Sequence, residues 1–337
     1  MYMKILLGVL VFVSSLVASK EITVYSHRDY YVDKQLYKAF EQETGIKVNL
    51  VKLDSSELIR KIASESEDTP ADVLVTVDAT RLVYAHFKGL LQAVKSQKLE
   101  KLIPSHLRQK DGYWYGVTKR ARIIAYNKDK INPSDLSTYQ DLASPKWKGK
   151  VLVGKSNDLY NLSLVSAFIA NEGEEAVTKW AKGIVDNMSR KPAGSDTSQI
   201  KALTVRNDNI AIINTYYFGK LLKSKKPYEV ELMEDLDVFF PNQGENERGT
   251  HINISGMGVV KHSKKKVEAI KFIEFMLSEK AQKLYPKASY EYPVNPNVKP
   301  SKLLRSWGEF KEDKINLELL GYYNHKAVKV FKTVGWE

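Results

Sequence analysis

The sequence predicts an α/β protein of two lobes joined by extended crossings. Each lobe is expected to be a mixed, mostly parallel sheet flanked by helices. Three observations carry that expectation. The first third of the chain alternates β-prone runs with amphipathic helical ones. A second α/β rhythm resumes after a long extended stretch, and no low-complexity linker or internal repeat separates the two. Repeated β-α-β units dictate a sheet with helices on its faces, and a length of 337 residues suits two domains.

The elements follow in order. Ile22 to Tyr25 is a short β-prone run. Asp33 to Glu43 places Leu36, Tyr37 and Phe40 at helical spacing, with Gly45 as a stop. Ile46 to Val51 alternates like a strand. Glu57 to Ser64 is expected as a helix, Ala71 to Val77 as a buried strand, and Ala79 to Leu91 as a helix with Gly89 near its end. Tyr113 to Val117 and Arg122 to Asn127 are extended. Leu136 to Leu142 reads as a short helix, Val151 to Val153 as a strand, and Asn161 to Ala170 and Glu174 to Asn187 as helices. Asn209 to Asn214 is a strand ending in polar residues. Phe239 to Glu247 is turn-rich, His251 to Val260 is extended, and Lys265 to Leu284 is expected as one long amphipathic helix. The expected division is a leader over 1–19, a first lobe of 20–118 plus 245–292, and a second of 119–244 plus 293–337. A few extended residues between lobes can absorb a hinge rotation, and the cleft between lobes is the default ligand site.

Composition narrows the classes. Lys4 precedes an apolar run from Ile5 to Val13, and small residues (Ser14, Ser15, Ala18, Ser19) follow. That is the form of a secretory signal peptide cleaved near Ser19. The run is too short for a membrane anchor, and no later segment is long and apolar enough to span a bilayer. The mature chain is therefore expected to be exported and soluble. The absence of cysteine removes lipid anchoring, thiolate metal sites, catalytic thiols and disulfides. The net charge of +12 comes from dispersed lysines, the densest cluster being Lys261 to Lys266. No nucleic-acid motif accompanies it, so the charge reads as a solvated face. No G-x-S-x-G, H-E-x-x-H or G-x-x-x-x-G-K pattern occurs. The six histidines (His27, His86, His106, His251, His262 and His325) do not pair at short helical spacing.

The tyrosines stand out. There are 19, and several fall just after strands, where α/β lobes meet their ligands. Tyr216-Tyr217 follows Asn214-Thr215; Tyr160 follows Ser156-Asn157-Asp158; Tyr30-Tyr31 follows Ser26-His27-Arg28-Asp29. Any one of them alone reads as a strand-flanking core aromatic. A cluster has a chemical reason. Phenol has a pKa near 10, a nearby +3 cation makes phenolate far cheaper, as metals do for other bound acids, and ferric iron favours charged oxygen. Borderline metals call instead for imidazole or thiolate.

The chain resembles the periplasmic ferric iron-binding proteins, the substrate-binding proteins of iron ABC transporters, in their tyrosine-rich subgroup. The resemblance rests on Tyr25-Ser-His-Arg-Asp-Tyr30, Thr69-Pro-Ala-Asp-Val-Leu74 and Lys119-Arg-Ala-Arg122 with Tyr126-Asn127. It continues through Leu142-Ala-Ser-Pro-Lys-Trp-Lys-Gly149, Asn214-Thr-Tyr-Tyr-Phe-Gly219, Arg248-Gly-Thr-His-Ile-Asn-Ile-Ser-Gly256 and Tyr292-Pro-Val-Asn-Pro-Asn297. It implies a two-lobed type II periplasmic binding protein fold with Fe3+ as transported ligand in the interlobe cleft. Carried over by position, Tyr216 and Tyr217 are paired ligands, Tyr160 an additional one and Tyr30 the first-loop ligand. Arg120 is a cleft arginine that balances charge or holds a synergistic anion such as carbonate, phosphate or citrate. The resemblance also implies a periplasmic monomer with no catalytic role and no nucleic acid partner, delivering its small inorganic ligand to an inner-membrane ABC permease.

One position departs from the pattern. Asp29 stands where the subgroup has histidine, and His27 lies two residues earlier. Asp29 is a candidate carboxylate ligand, with pairing to Arg28 or Arg120 as the alternative; His27 reaches the cleft only if the loop shifts. Glu57 lies where some relatives use a carboxylate, yet fits a helix start better. His251 is expected as a hydrogen-bonded hinge residue and Trp147 as a structural corner. Two rival classes are a binding protein of this architecture for a polyamine, thiamine or oxyanion, and a secreted enzyme, for which no acid–base pair stands out.

Overall fold

The structure, a computed structural model, describes residues 20–28, 30–205 and 209–337. The expected leader and Asp29 lie outside the described residues. Among the described residues there are nine strands: β1 (Glu21–Ser26), β2 (Lys47–Lys52), β3 (Val73–Thr76), β4 (Tyr115–Asn127), β5 (Val151–Leu152), β6 (Ile210–Asn214), β7 (Leu236–Phe239), β8 (Ile252–Val259) and β9 (Tyr292–Pro293). They run in the order β2-β1-β3-β8-β4-β6-β5, with β7 and β9 also on β4.

Strand β4 explains the two lobes. Its first half pairs antiparallel with β8, from Tyr115↔Met257 to Ala121↔Ile252, and with β9. Its second half, from Arg122, pairs antiparallel with β6 and β7. The outer strands are parallel: β1 with β2 and β3, and β5 with β6. One thirteen-residue strand thus belongs to both sheets. In the sequence it reads as two separate runs because charged residues interrupt the apolar pattern at the crossing. Arg120 and Arg122 are nonetheless buried, which a strand tolerates only where each charge finds a partner. Arg120 has Asp78 at 3.3 Å and Arg122 has Asp196 at 2.7 Å.

Most expected helices form with ends shifted by one or two residues. Tyr31–Thr44 ends on Gly45, whose φ of 70° is left-handed and suits glycine. Glu174–Asn187 has the expected limits. Two expectations fail. The long helix over 265–284 is two helices, Lys266–Met276 and Glu279–Ser289. Ser278 divides them, its hydroxyl accepting the Ala281 N–H as an N-cap, because a serine side chain competes with the helical ladder and restarts it. The expected helix over 136–142 is instead two 3-10 turns, Pro133–Asp135 and Gln140–Ala143, with Leu136 extended. Thr138 accepts the Asp141 N–H there and Pro133 and Pro145 bound the segment. The tail adds Lys302–Ser306, Glu318–Tyr322 and Asn324–Val334. The last packs Phe331 and Trp336 near Trp180 on the second lobe. No described helix is long and apolar enough to cross a membrane.

Candidate metal site

Three elements of the second lobe converge at the cleft. Asp158 caps the helix Leu159–Glu172 by accepting the Tyr160 N–H at 2.8 Å, placing Tyr160 in the first turn. Strand β6 is buried throughout and runs directly into the helix Thr215–Leu222, placing Tyr216 and Tyr217 in its first turn. Helical side chains lean toward the N-terminus, so all three rings reach back over the helix starts. Thr215 ties this turn to β4 by accepting the Ala121 N–H, and Asp196 accepts both Arg122 and the Asn214 N–H.

The phenols meet. Tyr216 Oη donates to Tyr160 Oη at 2.8 Å. Ring centroids lie 4.2 Å apart for Tyr216 and Tyr217, and 6.3 Å for Tyr160 and Tyr217. Tyr30 approaches from the first lobe, where it caps Tyr31–Thr44 and donates its N–H to Asp33. All four tyrosines line one cavity of about 290 Å3 together with Arg28, Arg120, Lys220, Ser255, Glu291 and His27. The four tyrosines expected as ligands are therefore brought together, with Arg120 beside them.

Burial sets their protonation. It pushes Tyr216 well above the ordinary phenol value, and neighbouring Tyr160 and Tyr217 push it further. Burial likewise raises Tyr160 and Tyr30, against the opposing pull of Arg120 and Arg28 respectively. Tyr216, Tyr160 and Tyr30 are therefore held neutral near pH 7 until something replaces their protons. Helix N-termini favour the negative charge that would then develop, by about 0.3–1 kcal/mol each at exposed sites.

Arg120 lies at the cleft floor, with its guanidinium carbon 5.7 Å from the Tyr160 ring centre. It donates through Nη2 to Asp78, while Nε and Nη1 have no hydrogen-bond partner. Asp78 is buried, also accepts from Asn253 and Thr80, and spans the cleft to Ser163. Burial pushes its carboxyl up, against the pull of Arg120. Two buried donors without acceptors fit a small oxyanion better than they fit nothing.

The remaining candidates separate. His27 lines the cavity, but its Nδ1 accepts the Ser55 N–H at 3.1 Å. Glu57 does not line the cavity and closes a capping box, accepting the Asp54 N–H. His251 is buried, and desolvation with Arg122 and Arg120 pushes it down to about 3, so its ring is neutral; its backbone N–H donates to Tyr139. Trp147 is buried and donates to Asp141. Among the described residues, no three His, Cys, Asp or Glu side chains gather as a metal cluster.

Sequence reasoning passed over Glu291. It is buried at the cavity wall and accepts from Arg28 (2.7 Å), Thr118, Ser255 and Ser289. Burial alone would raise its pKa, but Arg28 and Arg120 hold it below the usual carboxylate range. Its neighbour Tyr290 adopts a left-handed φ of 57° and packs on Gly219, where an added Cβ would lie 2.9 Å from the Tyr290 Cβ. The glycine thus lets the tyrosine-bearing helix meet the first lobe closely. Glu291 is a lone acid between two tyrosines, and only its partner 263 residues away gives it meaning.

The sequence pattern of the family described as bacterial extracellular solute-binding protein matches residues 68–307. The chain belongs to that family. Among its relatives, iron uptake protein A1 of Synechocystis sp. is 47% identical over 94% of this chain and 88% of that protein. A Trichodesmium protein, IdiA or FutA, solved in complex with iron and citrate ligands, is 44% identical with a TM-score of 0.92, covering 94% of this chain and 100% of that one. The ferric binding protein of Campylobacter jejuni is 41% identical with a TM-score of 0.86, over 94% and 100%. The family member described here therefore has the two-lobed fold of ferric-binding proteins.

Proposed function

We propose that this solute-binding protein captures ferric iron in the interlobe cleft and hands it to an inner-membrane ABC permease. The carrying observation is the convergence of Tyr30, Tyr160, Tyr216 and Tyr217 on one cavity, with Tyr216 and Tyr160 already hydrogen-bonded. Four phenolates over-neutralise a +3 ion by one charge, and Arg120 supplies the compensation. The names of the relatives, which include ferric iron-binding and periplasmic proteins, support the same cargo and compartment. The reading includes export by the leader over 1–19 and a monomer that binds without catalysing.

In this mechanism the second lobe binds first, through Tyr160, Tyr216 and Tyr217, each giving up its proton. The first lobe, 20–118 with 245–292, closes on the second, 119–244 with 293–337, by bending at β4 and β8, and adds Tyr30. Asp29 remains a candidate fifth oxygen by its place in the chain. Arg120 holds a carbonate or a chelator carboxylate through its two free donors. Release follows from loss of charge: acid reprotonates phenolates, and reduction leaves less charge to stabilise them. The test is optical. Protein mixed with ferric salt at neutral pH develops a visible tyrosinate-to-iron charge-transfer band, and Tyr216→Phe with Tyr217→Phe removes it. Colourless wild-type protein that retains no iron after desalting overturns the reading.

A further inference from the structure

Beside the metal cavity lies a second hollow, of about 940 Å3, that shares Tyr30 with it. One wall comes from the first lobe, with Tyr31, Leu284 and Lys287; the other comes from the second, with Lys223 and Lys302. Among the described residues, no acidic side chain lines it. None of the three lysines is paired with an acid among the described residues. Tyr31 is 79% exposed and Leu284 47%, so an apolar patch faces solvent between the three lysines. Those are the features of a small-molecule site: a concavity of a few hundred to about 1,000 Å3 with an apolar body and a few charged groups.

The two volumes divide the work. The cavity between the tyrosines accommodates a metal ion and a small anion. Ferric iron at neutral pH hydrolyses and precipitates unless a chelator holds it, and chelators with hard oxygen donors are commonly polyanionic carboxylates. One carboxylate of such a chelator can enter the 290 Å3 cavity with the iron, and arms that stay outside it need a cationic surface at the mouth. We propose that the hollow lined by Lys223, Lys287 and Lys302 is a reception site for the carboxylate arms of an anionic ferric chelate. The iron faces Tyr30 and the tyrosine cluster while the carbon skeleton rests on Tyr31 and Leu284. This inference rests on the ferric reading above and names the form in which the iron arrives. Fixed cations at the mouth raise the local concentration of an anionic complex and speed its capture, an effect that salt screens.

The test compares two carriers by stopped-flow growth of the charge-transfer band. Ferric citrate is anionic; ferric tris(acetohydroxamate) is neutral. In a Lys223→Glu, Lys287→Glu, Lys302→Glu triple variant, capture from ferric citrate slows at least tenfold at low salt and loses most of its salt dependence. Capture from the neutral carrier stays within about twofold and reaches the full band, which also shows that the variant is folded. A Lys→Gln triple at the same positions gives a smaller slowing of the same kind and serves if charge reversal prevents folding. A remote triple of equal charge change, Lys110→Glu, Lys128→Glu and Lys130→Glu, lines neither hollow and leaves the citrate rate within about threefold. Equal slowing with both carriers, no slowing with either, or equal slowing in the remote triple overturns the site. A wild-type protein that gains no band from either carrier overturns the ferric reading itself.

Discussion

The two lobes bring tyrosines to the same cavity by different physics. In the second lobe the phenols support one another. Tyr216 donates to Tyr160, Tyr217 stacks beside Tyr216, and all three ride on first turns of helices fixed by β4 and β6. In the first lobe Tyr30 sits on a helix cap, with the Arg28 guanidinium 4.7 Å from its ring centre. Arg28 is itself held by Glu291 and Ser255, and lies 4.1 Å from the centre of the Tyr285 ring. One side is a cluster of mutually supporting phenols, the other a charged scaffold presenting a single phenol. The difference suits ordered binding: the cluster takes the metal, and the scaffold delivers the last ligand on closure.

The strongest way to break this comparison is to remove the cluster. Tyr216→Phe with Tyr217→Phe should abolish iron retention, a loss well beyond the ~10–100-fold typical of outer-shell partners. Folding stability should change little, because two hydroxyls and no charge are lost; equilibrium dialysis and thermal melts check both halves. A double variant that still holds iron at wild-type affinity would place the metal elsewhere. The cluster's protonation gives the next effect. Burial raises Tyr160, Tyr216 and Tyr30, so each gives up a whole proton when it binds iron. Affinity should therefore rise with pH, by roughly tenfold per pH unit for each phenol released. Competition against a chelator of known proton uptake should show a slope near three or four between pH 6 and 7.5. A slope near zero would mean phenolates are not the ligands.

The same contrast governs what was legible beforehand. The cluster could be read because its residues follow strands and are adjacent in sequence, so local pattern and chemistry pointed one way. Glu174–Asn187 was equally plain, since its apolar residues keep a helical period. The scaffold was opaque. Arg28, Glu291 and Ser255 are far apart in sequence, and buried charges look like surface charges until their partners are known. Strand β4 was split for that reason, Arg120 being held by Asp78 and Arg122 by Asp196 and Asn161, all distant in sequence. The helix over 265–284 failed on a single hydroxyl, because hydrophobic period cannot show that Ser278 caps a new helix.

Attacking the scaffold tests the other side. Arg28→Met leaves Glu291 and Asp33 buried without the cation 2.7 and 3.9 Å away. Breaking a buried pair typically costs about 3–5 kcal/mol, so the melt should shift far more than for the tyrosine double variant. Glu291→Gln keeps the shape and several hydrogen bonds but strands Arg28, and should fall between the two. If Arg28→Met melts like wild type, the first lobe is not built on that charge pair.

Tyr30→Phe should have the smallest effect and the most telling one. The cluster remains, so the protein should stay coloured with iron, its band shifted because one donor fewer reaches the metal. Affinity should fall by at least about tenfold, roughly 1.4 kcal/mol or more, and the loss should appear mostly as faster release, since the first lobe is proposed to arrive after capture. The slope of affinity against pH should drop by one proton. Loss of colour equal to that of the double variant would make the lobes equal partners from the start. An unchanged off-rate would leave Tyr30 as a cap of its helix and nothing more.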